Sequence, residues 1–303
     1  MNAPPVAVQH AHPGLRDAVL DWYAATGREL AFRTTADPYA VLVAELMAQQ
    51  TQAARAAEHW TTWMARFPSV EVLARAPVAD ALRAWAGLGY NRRAVHLHRA
   101  ATVIVTEHGG RVPDTVEGLE ALPGVGPYTA RAVAAIAYGL PVGAVDVNVR
   151  RVLGRIVAGG PEGMTEAAMQ TLADAWVPTG HAGAWTHSLM DVGQRVCKPH
   201  RPNCADCPAI AWCRYAAGER PAVQASSARA AVRRPEPAFE STNRWLRGRI
   251  VERARDAPGW VRFDEPIGDH GEGAVRTAVL ALARDGVLEI RDTSAGIEAR
   301  LPC

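Results

Sequence analysis

Four cysteines crowd into one short segment, CKPHRPNCADCPAIAWC: Cys197, Cys204, Cys207 and Cys213, separated by six, two and five residues. Thiolates this close along a chain wrap one metal centre, either an iron–sulfur cluster or a four-cysteine zinc ion, and in a cytosolic chain the crowding argues against a disulfide framework. A carboxylate, Glu45, interrupts the otherwise apolar VLVAELMA. Held on a helix there it would be desolvated, which raises its pKa toward the range of a general acid; a core glutamate with satisfied hydrogen bonds and a solvent-facing one are the alternatives. A second carboxylate, Asp146 in AVDVNVRRVLGRI, follows an apolar run and opens a helix, the position of an ordinary N-cap. Between the two lies LPGVGPYTARAVAAIAYG, in which Gly124 and Gly126 sit in a tight turn before a helix starting near Tyr128. Such a turn brings backbone N–H groups and a helix dipole against a phosphate, though it also suits a plain connection between helices. One chemistry is scarce. Of the 33 basic residues only Lys198 is a lysine, so almost no amine is present to act as a nucleophile.

The elements that must position these groups are helices. Leu15, Val19, Leu20 and Trp22/Tyr23 recur at helical spacing before Gly27, and Asp37-Pro38 restarts a helix with a capping side chain followed by proline. From there to about 158 one helix follows another, punctuated by Gly and Pro, and 161–196 continue as helix. Residues 214–240 lack an apolar period and are rich in Ala, Ser, Arg and Pro, which reads as a linker. Beyond Ser241, Trp245, Ile250 and Val251 mark one helix, AVRTAVLALARDG another, and VLEIRDTSAGIEARL two short strands around a turn, together a small winged-helix-like unit. At 303 residues, 49% of them hydrophobic and with a net charge of +2, the chain has the composition of a globular protein, neither requiring nor excluding a polyanionic partner. No run of eighteen apolar residues occurs and the opening MNAPPVAVQHAHPG lacks a basic and an apolar leader region. A cytoplasmic, nucleoid-associated protein with no membrane role is expected.

The cysteine spacing resembles the iron–sulfur loop of the endonuclease III and MutY branch of helix-hairpin-helix DNA glycosylases, and the LPGVG hairpin resembles that of the same family. The resemblance spans roughly residues 13–215. It implies a mostly α, two-lobed glycosylase domain (13–215, with its cluster loop at 197–213), a linker (216–240) and the small C-terminal domain (241–303). It also implies a [4Fe-4S] cluster that takes no part in hydrolysis and holds a DNA-facing loop carrying Lys198, His200 and Arg201. AELMAQQT resembles the EVMLQQT of MutY adenine glycosylases, whose glutamate protonates the departing adenine. Carried over on these motifs, Glu45 and Asp146 are catalytic, with Tyr128 and Asn148 adjusting the aspartate. Gln49, Gln50, Tyr90, Gly124, Gly126 and Thr129 contact DNA, and Arg28, Phe32, Arg33 and His187 lie near the base pocket.

Where the bifunctional relatives place a Schiff-base lysine, this chain has Tyr128, so a glycosylase without lyase chemistry is expected. It would act as a monomer on double-stranded DNA, excising adenine opposite 8-oxoguanine or guanine. Three departures concern the base: Ala31-Phe32 stands for Pro-Trp, His187 for a Gln or Glu, and Val147 for a glycine. The chain also lacks room for the nudix-like domain that senses 8-oxoguanine, resembling shorter actinobacterial-type members. Two other readings stay open: a thymine or uracil glycosylase acting on mismatches with guanine, and a non-enzymatic cluster protein that binds DNA.

Overall fold

The computed structural model describes residues 11–219, 238–294 and 296–303. Most of the expected linker, 220–237, lies outside them. The described chain is organised as two compact units. One combines the residues up to Glu45 with those from Val112 to the end of the cysteine segment; the other joins Leu46–Arg111 to the C-terminal residues. The units thus cut across the division expected from sequence. The C-terminal helices and strands pack with the middle helices of the chain.

The first unit contains α1 (Pro13–Thr26), the start of α2 (Pro38–Ala48) and, after the second unit's α3 (Ala53–Arg66), α4 (Val70–Arg75), α5 (Val78–Ala84) and α6 (Arg92–His108), the run α7 (Val116–Glu120), α8 (Pro127–Ala137), α9 (Val147–Ala158), α10 (Glu166–Trp176) and α11 (Ala182–Asp191). Helix α2 starts where the sequence places it: the Ala40 amide donates to Asp37 Oδ1 at 2.7 Å, with proline in the first turn. The core of this unit gathers Leu15 and Val19 of α1, Val149, Val152 and Leu153 of α9, Met169, Leu172 and Trp176 of α10, and Trp185 and Leu189 of α11. Cys197, Cys207, Trp212 and Cys213 pack on its margin. Apolar side chains at helical spacing therefore form the base on which both the cysteine loop and α9 rest. Between α11 and the loop the helix widens into one π turn, Val192–Val196, a feature that often marks functional sites.

In the second unit Trp63 meets Trp85 edge-on, ring centroids 5.5 Å apart, and packs on Phe67 at 4.8 Å. Helices α12 (Asn243–Asp256) and α13 (Glu272–Arg284) bury Leu246, Ile250, Val251, Val275 and Val279. A three-stranded antiparallel sheet completes the module, with β3 (Gly296–Arg300) central between β1 (Val261–Arg262) and β2 (Glu289–Thr293). The hairpin β2–β3 was legible; β1, two residues long, was not. Ile297 and Ala299 alternate inward along β3. The Ala79 amide of α5 donates to the Pro302 carbonyl at 3.0 Å, tying the chain's last residues to the middle helices.

Candidate active site

Glu45 and Asp146 come to the same unit by different routes. Glu45 is carried by α2, in a helix whose neighbours Leu42, Val43 and Leu46 are buried. Desolvation pushes its carboxyl up to about 7, against the pull of Tyr128 and the Arg33 charge; the nearby Asp146 charge adds to the rise. The Tyr128 hydroxyl is held well above the ordinary phenol range, chiefly by burial and by Glu45 and Asp146, so it stays protonated, with Met190 Sδ 3.9 Å away. Tyr128 lies within the electrostatic reach of both carboxylates, Glu45 and Asp146.

Asp146 is the N-cap of α9: Oδ1 accepts from the Asn148 and Val149 amides, both at 2.8 Å, and Oδ2 accepts from Asn148 Nδ2 at 2.6 Å. Capping and catalysis are compatible here. Three donors fix the carboxylate's orientation. Asn148 is fixed in turn by Arg151, whose Nη2 donates to Asn148 Oδ1 at 2.9 Å and to the Gly193 carbonyl at 2.7 Å, while its Nε donates to the Cys197 carbonyl at 2.7 Å. The approach needs a glycine: a Cβ on Gly193, in the π turn, would stand 2.8 Å from Asn148 Cβ. One turn further on, Arg155 donates to Cys197 Sγ at 3.4 Å and to the Lys198 and Pro199 carbonyls. Helix α9 therefore holds the aspartate with one end and the cysteine loop with its middle.

The four thiols of that loop line one small cavity, together with Arg155, Val196 and Tyr215. Burial pushes the Cys207 thiol up to about 11, and Cys213 also rises; such sulfurs become thiolates only beside a cation. The donor set is sulfur alone, which suits an iron–sulfur cluster or another soft centre. Among the described residues no three His, Cys, Asp or Glu side chains close on a point as the ligands of a single ion would. Lys198, His200 and Arg201 are exposed on the loop.

The nominated pocket residues are organised by a side chain that sequence reasoning missed. Asp191, fully buried at the end of α11, accepts from the Arg28 amide (3.0 Å), Arg28 Nε (2.7 Å), and Arg33 Nη1 and Nη2 (3.0 and 2.8 Å). Desolvation alone would raise its pKa, but these bonds outweigh it and hold the carboxyl at about 2. The Arg33 guanidinium also lies over the Tyr23 ring at 5.6 Å, and Tyr23 stacks on His187 at 6.3 Å. Burial, reinforced by Arg33, pushes His187 down to about 3, leaving it neutral. Phe32 is buried on a 3-10 turn, Ala31–Thr34. Asp191 carried the same signal as Glu45, an acid inside an apolar helix (HSLMDVGQRV).

In the hairpin, Gly124 takes a left-handed φ of 81°, which a side chain would resist. Gly126 does not: its backbone is extended, and nothing lies within 4 Å of where its Cβ would be, so its contribution is open space at the start of α8. Thr129 is 3% exposed. Its side chain belongs to the interior of the unit, so a DNA contact there would come through its backbone.

Gln49, Gln50 and Tyr90 belong to the second unit. Gln50 and Tyr90 are the two non-glycine residues with left-handed backbones among those described, φ 53° and 46°, a strain that persists only where the surroundings enforce it. Arg93 enforces it. This buried guanidinium donates to the carbonyls of Leu46, Met47 and Gln49 and, through its other nitrogen, to Thr51 Oγ1 and the carbonyls of Leu88 and Gly89, at 2.5–3.2 Å. Both loops are thereby pinned to one cation. Desolvation lowers Arg93 to about 10, still charged at neutral pH.

Comparison with known proteins agrees with this arrangement. Residues 43–182, which include Glu45, the hairpin and Asp146, match the HhH-GPD superfamily base excision DNA repair protein family. An adenine DNA glycosylase of Mycobacterium tuberculosis is 40% identical over 243 residues, 79% of this chain and 78% of that protein. The human adenine DNA glycosylase is 40% identical over 211 residues, 66% of this chain and 39% of the longer human protein. Among solved structures, a thermostable thymine-DNA glycosylase superposes with a TM-score of 0.63 at 29% identity, covering 67% of this chain and 95% of its own. The chain therefore belongs to the helix-hairpin-helix base-excision DNA glycosylases, on the branch of the MutY-type adenine enzymes.

Proposed function

We propose that this glycosylase removes adenine from duplex DNA where the adenine faces 8-oxoguanine or guanine, and leaves an abasic site without nicking the strand. The observation that carries this is Glu45, a carboxyl held at about 7 beside Tyr128 and Asp146, in a chain whose relatives are adenine glycosylases. At neutral pH a large share of Glu45 is the acid form, able to give a proton to the departing base, most directly at N7. Loss of the base leaves positive charge on the deoxyribose. Asp146, oriented by three donors, stabilises that charge, and water completes the hydrolysis. No lysine stands near: the single Lys198 is exposed on the cysteine loop, and Tyr128 fills the hairpin-helix position where a Schiff-base amine would sit. Cys197, Cys204, Cys207 and Cys213 would hold a [4Fe-4S] cluster whose contribution is to fix the loop. Arg151 and Arg155 pass that constraint to α9.

The test is single-turnover base release from duplexes with one central mispair, A opposite 8-oxoguanine, A opposite G, T opposite G and U opposite G, followed by alkali. Alkali-dependent cleavage confined to the adenine strand is expected. Release of thymine or uracil but not adenine would overturn the substrate and point to Phe32 and His187 as the residues that redirected the pocket. Cleavage without alkali would overturn the monofunctional chemistry.

A further inference from the structure

A cavity of about 950 Å³ opens in the second unit, between the middle helices and the C-terminal module. Its lining is one-sided in charge. Arg55, Arg92 and Arg93 come from the middle helices and Arg244, Arg247 and Arg249 from α12, against one acid, Asp285. Asp285 engages Arg247 at 2.5 Å and Arg92 at 3.6 Å, and Arg249 pairs with Glu252. Arg55 and Arg244 have no carboxylate within ion-pair distance among the described residues. The sheet of the same module is the control: Arg262, Arg291 and Arg300 of the strands each pair with a carboxylate, at 2.6–3.7 Å. The groove carries an excess of positive charge that the sheet does not.

Aromatic rings interleave with that charge. The Arg93 guanidinium lies 5.2 Å from the Trp85 ring and 5.6 Å from Tyr90; Arg244 covers Tyr90 at 4.5 Å and lies 6.0 Å from Phe239. The column runs from a buried tryptophan to two exposed rings, Tyr90 at 42% and Phe239 at 59%. Alternating cations and flat apolar faces match a polyanion that carries flat apolar groups of its own, which is a nucleic acid strand. We propose that this groove, which Gln49, Gln50 and Tyr90 also line, extends the DNA contact expected at those residues into the C-terminal module, which grips a strand through Arg244 and Arg55 on phosphates and Phe239 against a base. This rests on reading the chain as a DNA glycosylase. It assigns the module to substrate binding, and it requires nothing of Glu45 or Asp146.

The test uses the full chain and a fluorescent duplex with 2′-fluoro-2′-deoxyadenosine, whose glycosidic bond resists cleavage, opposite 8-oxoguanine. Arg244→Glu is expected to weaken Kd tenfold or more and to flatten the dependence of log K on log salt by about one. Phe239→Ala is expected to weaken it about tenfold. Arg291→Ala, on the charge-balanced sheet, should bind within twofold of the unaltered protein. Both groove side chains are exposed, and unchanged melting curves confirm folding. Binding by Arg244→Glu and Phe239→Ala within twofold, with the same salt slope, overturns the proposal. An unaltered protein that binds this duplex yet releases no base from any mispair sinks the glycosylase reading instead, and the titration still decides the groove.

Discussion

The arginines around Asp191 and those around Tyr90 have the same chemistry and opposite surroundings. In the first unit Arg28 and Arg33 converge on one buried carboxylate with hydrogen bonds of 2.7–3.0 Å. The field they project reaches Glu45 and His187. In the second unit Arg93 is consumed by carbonyls while Arg244 rests on a ring and faces solvent. A guanidinium whose Nη groups are held by several protein acceptors organises a site; one stacked on an aromatic with its donors open is positioned to bind. The difference separates chemistry from grip in this molecule, and mutations on each side should have separable readouts.

The largest effect is expected at the proposed acid. Glu45→Gln keeps size and polarity but removes the proton, so base release should fall by about 10²–10⁴-fold, with duplex affinity changed little. The pH profile sharpens this. Glu45 is protonated below its value of about 7, so release should level off on the acid side and fall about tenfold per unit above it. The alkaline limb should be absent from whatever activity Glu45→Gln retains. A rate that is flat through pH 8 would remove Glu45 from the proton transfer.

Asp191→Asn breaks the organising pair without altering shape, and it should cost stability first. Removing the charge from a buried ion pair leaves two guanidinium groups facing each other, at a cost of about 3–5 kcal/mol, read from denaturant unfolding. The sign against pH follows from the depressed pKa. Stability contributed by Asp191 is complete above the ordinary aspartate range and drains away as pH falls from there toward about 2. The gap between the unaltered protein and Asp191→Asn should therefore be widest near neutrality and narrow on acidification. A gap that stays constant would mean the arginines are stabilised by something other than the carboxylate.

Why some of this was legible and some was not is itself physical. Apolar period, caps and glycine turns announced the helices, because those signals lie within one turn of chain, as at Asp37 and Gly124. Glu45 and the cysteines stood out because their types conflict with their surroundings or repeat at a binding spacing. Asp191 gave the same conflict but had no motif around it. The left-handed backbones at Gln50 and Tyr90 could not be read, since neither residue favours them and the cause, Arg93, lies in another helix for one of the two. Tyr128 was legible on its helix, but that it lies near both carboxylates depends on α2, which is remote in sequence. The groove was invisible for the same reason: Arg244 and Tyr90 are separated by more than a hundred residues, and only folding stacks one on the other.

The smallest of these effects tests whether a fully engaged arginine organises chemistry or merely supports the fold. Arg151 donates to Asn148 Oδ1, the Gly193 carbonyl and the Cys197 carbonyl, so it stands between the cysteine loop and the pair that orients Asp146. Charged hydrogen bonds of this kind are worth about 1.5–3 kcal/mol each, but water replaces some of them at a half-exposed position. Arg151→Ala should therefore slow base release about tenfold under single-turnover conditions, with duplex affinity held. The loss should appear in the rate at saturating enzyme, because Asn148 loses its anchor and with it the orientation of the aspartate. If the affinity falls and the saturating rate holds, Arg151 belongs with the gripping arginines of the second unit, and the division between organising and binding guanidinium groups does not follow the two units.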